Sequence, residues 1–113
     1  MLLNLSNHPS ASWSEPQLAA AGGNVVDLAF PQVNPDGDEA YIEQLANDYY
    51  NKINEMSYIK TVHIMGEMNF TYSLVSKLKA HNIRCVASTT KRETVEENGV
   101  KISKFNFVRF REY

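Results

Sequence analysis

Cysteine is almost absent from this chain: Cys85 is the only one in 113 residues. A single thiol excludes an intramolecular disulfide and a cysteine-built zinc cage. Glycine and proline number only 5 and 4, so fibrous and low-complexity readings fall away. A basic excess is missing too, since 11 Lys and Arg stand against 13 Asp and Glu for a formal charge of −2. Proteins that coat duplex DNA or membrane surfaces ordinarily carry such an excess, so neither partner is expected. A local basic cluster can still hold a small anionic ligand. No apolar run reaches the ~20 residues of a membrane span. The opening MLLNLSNH lacks the basic flank and the length of a signal peptide, and a cytoplasmic location is expected. There is no G-x-G-x-x-G, Walker A loop or nucleophile elbow, which disfavours dinucleotide, NTPase and conventional hydrolase chemistry.

What is present suits one domain over residues 1–113. Hydrophobic residues make up 43%, and a chain of this size buries roughly two thirds of its unfolded surface. Met1 to Leu5 reads as a strand, followed by the polar stretch Ser6-Asn7-His8-Pro9-Ser10. Ser12-x-x-Glu15 and Ser14-x-x-Gln17 both fit a capping box, and Gly22-Gly23 ends the short helix they open. Val25 to Phe30 reads as a second strand closed by Pro31. After a loop, with Asp36 or Asp38 as N-cap, apolar residues at helical spacing predict a helix from Glu39 to Met56. Thr61 to Met65 makes a third strand. Phe70, Leu74, Val75 and Leu78 line a third helix that Asn82 terminates. Ile83 to Ser88 is the fourth strand, and Glu96-Glu97-Asn98-Gly99 turns the chain into a last one, Val100 to Phe110, antiparallel to an extension of the fourth.

Strand and helix alternate, which predicts an α/β fold: a mostly parallel sheet with helices on both faces. Ligands of such sheets bind beyond the carboxyl ends of the strands, where the strand order reverses, here between strands one and three. Three loops are expected at that edge. They are Ser6 to Ser10, Gly66 to Thr71, and Ser88-Thr89-Thr90-Lys91-Arg92. Their imidazole, cations, hydroxyls and amides suit a phosphate or phosphodiester.

Each residue carries two readings. Gly66 either lets the backbone approach an anion at the N-terminus of the helix that follows, or simply makes a tight turn. His8 is the candidate for proton transfer because an imidazole can both accept and donate a proton; its other role is to pin its loop. Lys91 and Arg92 either neutralise phosphate, with Ser88, Thr89 and Thr90 orienting it, or sit in a solvated loop. Glu67 serves as general base, helix cap or partner of Arg92. Trp13 stacks on a base, an interaction worth ~1–3 kcal/mol, or packs internally. His63, inside an apolar strand, reads as a satisfied core histidine, and His81 as favouring a helix dipole. Cys85 reads as inert packing. Three scattered histidines make no metal site, and no cofactor is expected. The aromatic, basic end KISKFNFVRFREY reads as a half-buried edge strand, which favours dimerisation.

The segments LNLSNHPS, MGEMNFTYSLV and VASTTKRE resemble those of small CRISPR-associated Rossmann-fold (CARF-like) proteins. That family includes compact ring nucleases and binders of cyclic oligoadenylate. The resemblance implies a Rossmann-like three-layer sandwich of about five strands, mostly parallel, with a C-terminal antiparallel hairpin. It also implies a homodimer holding the cyclic oligonucleotide across its two-fold axis. The implied activity is metal-independent cleavage by a ribose 2′-hydroxyl, giving a 2′,3′-cyclic phosphate and ending a type III CRISPR response. His8, Lys91 and Arg92 would be catalytic. Ser6, Asn7, Ser10, Trp13, Gly66, Glu67, Met68, Asn69, Phe70, Thr71, Ser88, Thr89 and Thr90 would bind the ligand. The alternative is a non-catalytic module that sequesters or senses the same messenger.

Overall fold

Five strands pair into one mixed sheet, and three α-helices accompany it. The computed structural model describes residues 1–113. In chain order the elements are β1 (Leu2–Ser6), a 3₁₀ turn (Ser10–Ser12), α1 (Glu15–Ala20), β2 (Val25–Asp27), α2 (Glu39–Asn54), β3 (Thr61–Met65), α3 (Met68–Ala80), β4 (Arg84–Glu97) and β5 (Val100–Glu112). The sheet order is β2-β1-β3-β4-β5. All pairings are parallel except β4 with β5, so the order reverses between β1 and β3. No helix is long and apolar enough to cross a membrane.

Side chains alternate along a strand, which gives this sheet two chemically different faces. Leu3, Leu5, Val62 and Ile64 turn to one side and pack with Ala46 and Ile53 of α2 and with Phe70, Leu74 and Leu78 of α3. Full burial of such a side chain contributes ~1.5–3 kcal/mol, so this face carries most of the stability. Asn4, Ser6 and His63 turn to the other side and are buried as well. Trp13 closes over them, its ring edge-on to His63 at 5.2 Å.

Most predicted boundaries hold to within a residue or two, and the departures have local causes. β2 ends at Asp27 rather than Phe30. Leu28 still donates to the Asn4 carbonyl, after which the chain leaves the sheet and Phe30 packs edge-on to Phe70. Asp38, not Asp36, caps α2 by accepting from the Tyr41 N–H. Ser14 is the N-cap of α1, but its hydroxyl makes no cap bond. Gln17 of the expected capping box reaches across to Ser88 instead. Asn82 and Asn98 both adopt positive φ, at 62° and 52°, as the helix stop and hairpin turn require.

The largest correction concerns Ser88 to Arg92, which form no loop. β4 runs unbroken from Arg84 to Glu97 and pairs with β5 from Val86 to Glu97, with an irregularity between Thr89 and Thr90. β3 pairs with β4 only as far as Val86. Beyond it, β4 and β5 form a two-stranded arm, and the molecule measures 50 × 36 × 21 Å.

Candidate functional site

Parallel pairing carries the His8 loop and Gly66 to the same edge, because Ser6 of β1 is in register with Met65 of β3. The arm meets that edge through Ser88, whose backbone N–H donates to the Met65 sulfur. A polar pocket of about 530 Å³ opens between them, lined by His8, Ser12, Trp13, Gln17, His63, Met65, Ser88, Thr90 and Phe105. Across Met65 lies a second, mainly apolar pocket of about 330 Å³, lined by Met65, Gly66, Met68, Thr71, Tyr72, Val75 and Tyr113. Of the three segments expected at one rim, the first and third share the polar pocket. The Gly66 segment faces the neighbouring one.

A hydrogen-bonded chain of side chains forms the floor of the polar pocket. Asn4 donates through Nδ2 to Asp27 Oδ1 and to the His8 carbonyl, both at 2.9 Å. Both partners only accept, so the amide nitrogen must face them and Oδ1 must face His63. His63 Nδ1 lies 2.9 Å from that oxygen, and Nε2 lies 2.7 Å from Ser88 Oγ. Nδ1 therefore carries the proton, and the Ser88 hydroxyl donates to a bare Nε2. Gln17 Nε2 completes the Ser88 oxygen at 3.1 Å. Burial, helped by the nearby His8, lowers the His63 pKa to about 4, so the ring is neutral at physiological pH. At Asp27, partial burial pushes the pKa up, but hydrogen bonds from Asn4 and Ser10 outweigh it and the net shift is downward.

Several expected ligand contacts turn out to be internal ones. Ser6 donates to Asn4 Oδ1, and Ser10 gives both its N–H and its hydroxyl to Asp27. Trp13 is buried and donates to the His8 carbonyl, so packing is its main role, with part of the ring left to line the pocket. Asn7 is exposed at the loop tip, and the exposed His8 ring lines the pocket wall. At Gly66 a Cβ would lie 2.2 Å from the Phe30 ring, so the absent side chain is what lets that ring pack there. Glu67 is the helix cap: its two carboxylate oxygens accept from the N–H groups of Asn69 and Phe70. The positive end of α3 is thereby neutralised by the chain itself. Phe70 is fully buried in the core, and Met68 is exposed beside the apolar pocket. Thr71 is buried there with its hydroxyl unpartnered.

On the arm, Ser88 and Thr90 line the polar pocket, and alternation turns Arg92 toward the same face. Its guanidinium donates to Ser103 Oγ, outside the pocket lining. Lys91 and Thr89 belong to the opposite face, where Thr89 donates to the Arg109 carbonyl. No group of three or more His, Cys, Asp and Glu side chains is arranged to hold a metal ion.

Asn4, Asp27, His63 and Gln17 carry the site's order and were not expected in it. A signal for two of them existed. Asn4 and Ser6 stand two apart on one face of the otherwise apolar LLNLS, and His63 interrupts TVHIM in the same way. Polar residues at such positions must find buried partners. No curated protein and no solved structure matches the chain. A family model does match, over residues 1–111, and by it the chain belongs to the Uncharacterized protein MJ1673 family.

Proposed function

We propose that the protein binds cyclic oligoadenylate and cleaves it without metal, as a cytoplasmic ring nuclease that ends type III CRISPR signalling. The reading groups it with CARF-like proteins of Rossmann-like, three-layer architecture. The strand reversal between β1 and β3, with both pockets beside it, supports that.

One observation carries the proposal: a polar pocket and an apolar pocket share the Met65 wall. The polar one offers His8, Ser88 and Thr90 to a ribose and its phosphodiester. The apolar one offers Tyr72 and Met68 to a base. His8 would take the 2′-hydroxyl proton or protonate the leaving oxygen. The 2′-oxygen attacks the adjacent phosphorus as the bond to the 5′-oxygen breaks, and that oxygen leaves with a proton, giving a linear product with a 5′-hydroxyl at one end and a 2′,3′-cyclic phosphate at the other. Arg92, one step beyond Thr90 on the same face of the arm, would swing from Ser103 to the charge growing on the phosphate.

A homodimer fits this reading. Two-stranded ribbons are marginal by themselves in water, yet on the face it shares with Lys91 the arm exposes Val100 and Ile102. A second copy covering that surface would bring its Lys91 toward a ring bound on the two-fold axis.

The alternative is a non-catalytic binding module. What favours it is that both ring nitrogens of His63 are engaged and that Lys91 and Arg92 lie outside the pocket lining. The deciding experiment incubates the protein with cyclic oligoadenylates of several ring sizes in EDTA and separates the products by chromatography. Linear products, reduced about 10²-fold or more in His8→Ala, are expected. Intact rings together with a raised melting temperature would leave only binding. Intact rings and no melting shift would sink both readings.

A further inference from the structure

We propose that Ser88 is a nucleophile, and that the Ser88–His63–Asn4 chain lets the polar pocket hydrolyse carboxylic esters through a seryl intermediate. The inference goes beyond phosphodiester cleavage and does not depend on it.

Three relationships carry it. Ser88 Oγ is 2.7 Å from His63 Nε2, and His63 Nδ1 is 2.9 Å from Asn4 Oδ1. That is the nucleophile, base and orienting acceptor of a triad, an arrangement recognised by geometry and roles rather than by sequence order. The tautomer is also the productive one. Asp27 and the His8 carbonyl hold the Asn4 nitrogen away from the ring, so Asn4 accepts from Nδ1–H and leaves the Nε2 lone pair for the serine proton. Finally, the hydroxyl opens onto space. β4 loses its β3 neighbour after Val86, and two residues later Ser88 lies half-buried at the wall of the 530 Å³ pocket.

The chemistry balances with ester and water alone. Ser88 Oγ bonds to the carbonyl carbon while its proton passes to His63 Nε2. The Gln17 amide, which donates to Oγ at 3.1 Å, would turn from it to the oxyanion as the Oγ–C bond forms. The bond to the alkoxide then breaks, and His63 returns the proton to that leaving oxygen. Water, deprotonated by His63, attacks the acyl carbon, and Ser88 departs with its proton restored.

The test uses a fluorophosphonate probe on the whole protein. The Oγ–P bond forms as P–F breaks and fluoride leaves. Peptide mapping by mass spectrometry is expected to find the adduct on Ser88, with loss of p-nitrophenyl acetate hydrolysis in proportion to labelling. Folded His63→Ala, checked by circular dichroism, should label about 10²-fold more slowly or worse, whereas Ser76→Ala, on an exposed face of α3, should label as the unaltered protein does. Asn4 acts as a positioning residue, read in the unaltered protein: imidazole ¹⁵N spectra should show His63 protonated at Nδ1 and bare at Nε2. No adduct, an adduct only elsewhere, or the opposite tautomer would overturn the proposal. Mapping and spectra both use the native chain, so a variant that fails to fold does not affect them. Ring cleavage is read by chromatography and the adduct by mass, so either idea can fail while the other stands.

Discussion

The ring of Phe30 occupies the space that a side chain at Gly66 would need, with an added Cβ only 2.2 Å from Phe30 Cζ. Phe30 is also edge-on to Phe70, at 5.3 Å between centroids. The glycine that breaks β3 from α3 therefore exists for an aromatic lock between the loop after β2 and the start of α3.

Gly66→Ala should force Phe30 off Phe70 and destabilise the fold by about 1–3 kcal/mol, the usual cost of overpacking. Urea midpoints check this. In Phe30→Ala the same glycine replacement should cost much less, because the clash is gone. Equal costs in both backgrounds would contradict the lock.

Glu67→Ala removes the carboxylate that holds the Asn69 and Phe70 N–H groups at 2.9 and 2.8 Å. The expected loss is about 0.5–2 kcal/mol. Amide exchange should accelerate at those two positions and hardly at the far end of α3. An unchanged exchange rate at Asn69 and Phe70 would mean the cap is not made in solution.

Acid should weaken the fold through His63. Its folded pKa of about 4 lies below the ordinary value of 6.5, so in that interval the unfolded chain binds the extra proton. Stability from the neutral ring is thus complete above about pH 6.5 and is lost as pH falls toward 4, with a slope of up to ~1.4 kcal/mol per pH unit. Urea midpoints across the interval, compared with a folded His63 variant, isolate the contribution. An NMR titration placing His63 near its ordinary value would refute it.

The elements were legible because their causes are local. Thr61–Met65 is a short apolar run stopped by a glycine, and it is the strand observed. Asn98-Gly99 marked its hairpin, since both residues accept the positive φ that the turn demands. That β4 runs on without a loop through Ser88 to Arg92 was not legible. Ser-Thr-Thr-Lys-Arg is polar enough for a loop, and only pairing with Phe105 to Phe110 across the hairpin makes it strand. Gln17 was misread for the same kind of reason: a capping box is a local option, and Ser88, 71 positions away, is the partner it takes.

By itself, the order of residues determined the alternating elements, the apolar faces, the helix stop at Asn82 and the turn at Asn98, because each depends on neighbours within a few positions. Only the tertiary structure decided that His63 meets Asn4 and Ser88, which stand 59 and 25 positions from it. Which strands lie side by side, and in what register, sets those encounters. That choice follows from burying the apolar face of the whole sheet at once, a sum over the chain that no single segment carries.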